Sequence, residues 1–167
     1  MISLSWDAFI TLFFIVATVY GFVLQKDKLT VVLISSYVAL AVANVWSENV
    51  FKWLQDRGGT LGSWATNTSL FTVAAGLFIV FVIVVSARGG ISADEEKSGV
   101  YGPFIMAVLG FLTAGLILSS VISFMPDVSK DNLIASSRMA AFVWKYHIGF
   151  IVLPPILLAA SSMFKKV

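Results

Sequence analysis

The chain has 167 residues, of which 59% are hydrophobic and 12% are charged, with a net charge of +2 and a mean hydropathy of +0.94. An average soluble domain carries about 25% charged residues, and a domain of this length leaves too much surface outside its core to hide so many apolar side chains. These values exclude a soluble monomer and a disordered chain, and they indicate an integral membrane protein.

The first two apolar segments cover residues 6–24 and 29–46. Each is close to the ~20 residues that cross a ~30 Å hydrocarbon core. The short charged break between them, Gln25-Lys26-Asp27-Lys28, predicts a tight helical hairpin. We interpret the first segment as a retained helix, because no basic residue precedes it and no Ala-x-Ala cleavage site follows it.

The next part of the chain, residues 47–67, is a more polar connection rich in tryptophan. Phe51, Trp53 and Leu54 predict that its first half is an amphipathic helix at the membrane interface, where tryptophan is enriched. A third apolar segment follows at residues 68–87. It is rich in β-branched residues, but its length and lack of charge favour a membrane helix over a strand.

A charged, glycine-containing loop at residues 88–102 is typical of a solvated turn. The fourth apolar segment covers residues 103–125, with Pro103 suited to its first turn and Pro126 ending it. The predicted fold is therefore an all-α, polytopic transmembrane helical bundle in a single domain, with four spans and a fifth, kinked one.

A polar stretch at residues 127–138 leads to a last helical segment from about residue 139 to residue 164. The fifth apolar segment, residues 148–164, is the shorter, hydrophobic part of it and contains Pro154-Pro155. It is either a kinked span or a re-entrant or surface helix, and we expect a span bent at the prolines. Each proline deprives a carbonyl four residues earlier, at Phe150 and Ile151, of its helical donor. The bend should therefore face neighbouring helices or water, where those carbonyls find partners.

Basic residues immediately beside helix ends predict the orientation. Lys26, Lys28 and Arg88 abut the ends of three apolar segments. We therefore expect the 26–28 turn and the 88–102 loop on the cytoplasmic side, with the start of the chain and the 47–67 connection outside.

Small residues at helical spacing mark the faces most suited to helix packing in lipid. The candidates are Ser35, Ala39, Ala43, Gly110 and Ala114. Asn44 joins them as an amide deep in the second span, where it needs a polar partner. These faces either pack inside one bundle or join copies of the chain, so we expect a homo-oligomer or a complex with other membrane proteins.

The residues that support catalysis or metal binding are scarce. The chain has no cysteine and one histidine, His147, and the first four spans contain no Asp, Glu, Lys, Arg or His after Asp7. No nucleophile elbow, zinc-binding helix or phosphate loop is present, and the basic residues are too scattered for nucleic-acid binding. We therefore predict no catalytic, cofactor or metal site, and we interpret His147 as an interfacial side chain.

The first hairpin carries a family resemblance. Asp7 at the membrane edge, then Tyr20-Gly21-Phe22, a short basic turn and a small-residue-rich helix at 29–43 resemble the start of the colicin V production protein (CvpA) family. Segments 77–81 and 106–116 resemble later helices of that family, so the resemblance covers residues 6–125. The chain departs from the pattern in its Gln25-Lys26-Asp27-Lys28 turn, where the family usually has Arg-Gly, and in its hydrophobic fifth segment.

The resemblance implies a multi-pass protein of the bacterial inner membrane that is not itself an enzyme. Members of the family are linked to toxin export, biofilm formation or envelope stress, so the expected role is that of a scaffold or assembly factor. A subunit of a membrane channel or transporter is the alternative. The expected partners are the lipid bilayer and other membrane proteins, without nucleic acid.

Overall fold

The computed structural model describes residues 5–23, 26–57, 67–88 and 102–163. These residues form α-helices and no strand, so the predicted all-α fold is confirmed. The helices are α1 (Trp6–Val23), α2 (Lys26–Asp56), α3 (Leu70–Arg88), α4 (Gly102–Ser123), α5 (Asp127–Ser136), α6 (Arg138–Lys145) and α7 (His147–Met163). The predicted loop residues 58–66 and 89–101 and the predicted segment end at 164 lie outside the described residues.

Within the described ranges, four helices are long and apolar enough to cross a membrane, namely α1, α2 from Lys28, α3 and α4 from Phe104. Their starts follow local capping. The Ser5 hydroxyl accepts from the amide of Ala8 at the start of α1, and the Ser69 hydroxyl accepts from the amide of Thr72 at the start of α3. Both serines satisfy a backbone donor that the first helical turn leaves free.

Helix α2 is longer than its apolar segment. It runs unbroken for 31 residues, or about 46 Å at 1.5 Å per residue, well beyond a hydrocarbon core of ~30 Å. The predicted span ended at residue 46, whereas the helix continues to Asp56. The prediction that the first half of the 47–67 connection is helical is therefore confirmed, and this helix is the end of α2.

Helix α4 lies at the centre of the bundle. It contacts α1, α2, α6 and α7, while α3 packs against α2. α1 and α4 run antiparallel, because Gly21 near the end of α1 meets Gly110 in the first half of α4. We call the end of the bundle where α1 begins the Asp7 end, and the end where α2 begins the Leu29 end.

Three apolar clusters hold these helices together. The largest fills the Asp7 half, the second lies at the Leu29 end, and the third joins α2 to α3. Their buried members are, in that order, Ile10, Phe14, Leu112, Ala114, Ile122, Leu133, Ala140, Val143 and Phe150; Leu29, Met106 and Leu109; and Ala39, Ala43 and Phe78.

The last two helices form a bent pair, with an angle of 58° between Arg138–Lys145 and His147–Ala160. The break is Tyr146, whose φ of −105° and ψ of 16° end α6. The sequence placed a bend at Pro154-Pro155, whereas the break between the two helices lies earlier in the chain, at Tyr146. α7 continues through both prolines as one helix.

The bent pair runs from one end of the bundle to the other. The start of α6 contacts the first turn of α1 at the Asp7 end. Leu158 of α7 packs against the cluster of Leu29, Met106 and Leu109 at the opposite end, and Leu157 contacts both this cluster and the one in the Asp7 half. A re-entrant helix would have returned Leu158 to the Asp7 end, so the packing favours a broken span.

Candidate functional site

Asp7, in the first turn of α1, is bound by the start of α6. The Ser137 hydroxyl donates to Asp7 Oδ1 over 2.8 Å, and the amide of Met139 donates to the same oxygen over 2.9 Å. A carboxylate at a helix N-terminus also interacts favourably with the helix dipole. Asp7 therefore fastens the first helix to the last third of the chain.

Ser137 makes this contact possible because it separates α5 from α6 as a single extended residue, with φ of −134° and ψ of 118°. Its amide donates to the Leu133 carbonyl over 3.0 Å and ends α5. Its hydroxyl accepts from the Ala140 amide over 3.0 Å and begins α6. A hydroxyl both accepts and donates, so Ser137 caps α6 and still gives its own proton to Asp7. We call this pair of residues the Asp7 cap.

A layer of aromatic and basic side chains surrounds the break between α6 and α7. Lys130 forms a salt bridge of 2.7 Å with Asp127, and its Nζ lies 5.0 Å from the centre of the Trp144 ring. Trp144 stacks on His147, with ring centres 4.7 Å apart and planes 12° from parallel. Such side chains, apolar in body and polar at the tip, are typical of the membrane–water boundary.

Within this layer, two polar groups have partners close by in the chain. The hydrogen bond from Lys130 holds the pKa of the Asp127 carboxyl below its usual range, and the positive charge of Lys130 adds to the effect. His147 Nδ1 lies 2.6 Å from the carbonyl oxygen of Trp144, which holds the ring against the start of its own helix. The arrangement is suited to anchoring the helices at a membrane boundary.

Inside the bundle, the prolines of α7 create the main polar contact between helices. Pro155 has no amide proton, so the carbonyl of Ile151 lacks its helical donor. The hydroxyl of Tyr37, on α2, donates to that carbonyl. The prediction that a neighbouring helix would serve a freed carbonyl is confirmed for Ile151.

Other buried hydroxyls bond within their own helices. Ser35 donates to the Val31 carbonyl over 2.7 Å, and Thr113 donates to the Leu109 carbonyl over 2.8 Å. Ser36, Ser119 and Ser120 do the same with carbonyls three or four residues earlier. Each hydroxyl therefore donates its proton within its own helix and needs no partner on a neighbouring helix. These small side chains allow the helices to pack closely and do not form a polar site.

The packing candidates on α2 have two environments. Ala39 and Ala43 are fully buried against Phe78 of α3, and Ser35 is buried on the same helix. Asn44 lies on the exposed side of α2. Asn44 therefore does not share the buried face of α2 that contains Ser35, Ala39 and Ala43, the small residues with which it was grouped.

The candidates on α4 contact a different helix. An ideal Cβ on Gly110 would lie 2.7 Å from the Ala17 carbonyl oxygen and 3.0 Å from Gly21 Cα, so α1 and α4 touch backbone to backbone. Ala114 is buried one turn farther along, in the cluster that contains Phe14. The α2 and α4 candidates thus serve two separate interfaces.

Sequence reasoning missed the residues that join distant parts of the chain. Ser137 lies in a stretch that was interpreted only as polar, although a serine between two short amphipathic segments is a typical helix-start signal. Tyr37 was not singled out either, although an aromatic hydroxyl in a span is a natural donor to a proline-freed carbonyl.

Comparison of the chain with protein-family models, with characterised proteins and with solved structures gave no match. Among the described residues, no three His, Asp or Glu side chains are grouped to hold a metal ion. The site is therefore defined by its own contacts: the Asp7 cap and the aromatic and basic layer beside it.

Proposed function

We propose that this protein is a small, non-enzymatic, multi-pass protein of a bacterial inner membrane that acts as a scaffold or assembly factor in export or envelope processes. The resemblance of residues 6–125 to the CvpA family suggests this role. The Asp7 cap is the observation that carries it, because it fixes α5 and α6 rigidly to the transmembrane bundle. A protein that served only as a membrane anchor would not need α5 and α6 to be held in one position against the transmembrane helices.

The helices at the Asp7 end together offer a surface for other proteins. Ala43 and Phe124 belong to one apolar cluster, so the end of α4 lies level with Ala43. Residues 44–56 of α2 extend about 20 Å beyond that level at 1.5 Å per residue. This extension, with α5 and α6, forms what we call the Asp7-end platform.

The interior of the bundle is suited mainly to packing the helices against one another. Apolar clusters surround α4, and the buried hydroxyls along α2 and α4 bond to carbonyls of their own helices. Helices that carry ions or protons normally present ionisable or unwound polar groups to a cavity. The close backbone contact of Gly21 with Gly110 instead joins α1 and α4 directly.

A channel or transporter subunit is the second candidate, and one observation favours it. The α6–α7 pair is a broken helix with two prolines. The carbonyl of Ile151, which has no donor in its own helix, accepts a hydrogen bond from the side-chain hydroxyl of Tyr37, and a side chain can be displaced. Discontinuous helices of this kind form the substrate sites of many transporters.

Site-specific photocrosslinking in native membranes separates the two roles. A photoreactive residue at Asn132, exposed on α5, should yield adducts with proteins, which mass spectrometry identifies as other proteins or as copies of this chain. The same residue at Ile83, on the exposed face of α3, is the matched control and should yield lipid adducts. Lipid or solvent adducts alone at Asn132 would contradict the scaffold proposal.

Flux through liposomes that contain only the purified protein completes the comparison. The scaffold proposal predicts ion flux no greater than in empty liposomes. Flux that is present in the wild type and changes when Tyr37 is replaced with phenylalanine would favour the channel or transporter subunit.

A further inference from the structure

Helix α6 packs beside the first turn of α1, the start of the first candidate membrane span. Its first turn is held by Asp7, in the first turn of α1. It is inclined by 58° to α7, which runs from the Asp7 half of the bundle to the Leu29 end. A helix at that angle to a traversing one lies nearer to the membrane plane than to its normal, as interfacial helices do.

The two faces of α6 differ sharply. Ser137, Ala140 and Val143 are almost completely buried against the bundle. The opposite face exposes Arg138 and Lys145, with the Phe142 ring between them. The two basic residues are seven positions apart, which places them two turns apart on one face, about 10 Å along the helix axis.

The charges on this outer face are positive. α6 itself contains no acidic residue. Asp127 is paired with Lys130 on α5. Asp7 accepts hydrogen bonds from Ser137 and Met139.

Aromatic rings place these cations at headgroup depth. Lys145 Nζ lies 5.5 Å from the centre of the Tyr146 ring, and the rings of Phe142 and Tyr146 are 5.0 Å apart. Ile148, two residues farther into α7, is 66% exposed. The outer surface thus changes from the ammonium of Lys145 to the phenol of Tyr146 and the alkyl chain of Ile148. The same order, from charged to aromatic to aliphatic, matches the headgroups, the interface and the acyl chains of a bilayer.

We propose that the outer face of α6, formed by Arg138, Phe142, Lys145 and Tyr146, binds the phosphate headgroups of anionic phospholipids. The two cations contact phosphates, while the aromatic rings insert beside the first carbons of the acyl chains. The lipid would thereby reinforce the orientation that the Asp7 cap imposes on α6.

Native mass spectrometry of the purified protein in detergent tests this proposal. The probes are phosphatidylglycerol and phosphatidylcholine with identical acyl chains, so that only the headgroup charge differs. The wild type should retain phosphatidylglycerol preferentially. The variant R138Q/K145Q should lose at least about fivefold of that preference, given the ~1 kcal/mol that one basic residue contributes near an anionic surface.

Three comparisons decide the result. The control K52Q/R57Q removes the same charge from the exposed end of α2, at least about 9 Å beyond the end of its apolar segment at Trp46, and should keep the preference within about twofold, since attraction to an anionic surface falls off with distance. The charge-preserving variant R138K/K145R should retain the preference, with melting temperatures confirming that all variants fold. Equal losses in both glutamine variants, an unchanged R138Q/K145Q, or displacement of the lipid by millimolar inorganic phosphate would overturn the proposal.

Discussion

Replacing Gly110 with alanine would bring a methyl group into the backbone of α1. The added carbon would lie 2.7 Å from the Ala17 carbonyl oxygen and 3.0 Å from Gly21 Cα. Both contacts are too short, and neither partner is a flexible side chain that could turn away. α1 and α4 must therefore separate by several tenths of an ångström, which loosens the packing of Phe14 against Phe111.

The loss of stability in G110A is measured against a matched control at Gly76. A Cβ at Gly76, inside α3, meets no atom within 4 Å. Both substitutions gain the same helix propensity, about 1 kcal/mol, so the difference between G110A and G76A isolates the overpacking cost. That cost is typically about 1–3 kcal/mol in a well-packed core. For a chain of this size, it corresponds to a melting temperature about 2–12 °C lower in G110A than in G76A.

Circular dichroism during heating in one detergent measures both variants against the wild type. The reciprocal variant G21A should behave like G110A, because its Cβ would lie 2.7 Å from the Met106 carbonyl oxygen. If G110A melts at or above G76A, α1 and α4 do not touch at this point and the packing described above is incorrect.

Further predictions concern the other contacts. Replacing Ala39 and Ala43 together with leucine should separate α2 from α3 and lower the melting temperature in detergent, because both methyls are fully buried; unchanged melting would place that face towards lipid. Tyr37→Phe should cost about 0.5–2 kcal/mol of unfolding free energy by SDS titration, since it leaves a carbonyl unpaired. In the Pro155→Ala background, the restored amide serves that carbonyl, so the same substitution should cost less; an equal cost in both backgrounds would show that the hydrogen bond contributes nothing. A cysteine at Asn132 should be labelled by an impermeant maleimide from the periplasm, since the Asp7 end is expected outside; labelling only after lysis would reverse the orientation.

The membrane helices could be predicted from sequence because hydropathy alone places them. Segments 6–24, 68–87 and 103–125 agree with α1, α3 and α4 to within about two residues, the usual uncertainty of a helix end. Hydropathy does not find the end of α2, and the helix beyond residue 46 was predicted instead from Phe51, Trp53 and Leu54. Hydropathy falls after Trp46, but residues 47–56 contain neither glycine nor proline, so the helix continues although the apolar segment has ended.

Helix α5 was missed, and α6 was predicted only as the start of a single helical segment from about residue 139 to residue 164. Residues 127–145 are mixed in polarity, and neither helix is long enough to give a clear periodic signal. Their positions depend on tertiary contacts, above all on Asp7 and Ser137, which are 130 residues apart. A single sequence contains no information about which distant donor meets which carboxylate.

The prolines of α7 show how far physical reasoning from sequence reaches. The chemistry of proline was sufficient to predict that the carbonyl of Ile151 needs an outside donor and that this donor lies on a neighbouring helix. It could not identify Tyr37, because that requires knowing that α2 and α7 are neighbours at this depth. Nor could it place the main bend, which Tyr146 provides at the end of α6. With its carbonyl satisfied by Tyr37, α7 continues through Pro155 as one helix, so a hydrogen bond from a neighbouring helix replaces the one that the proline removes.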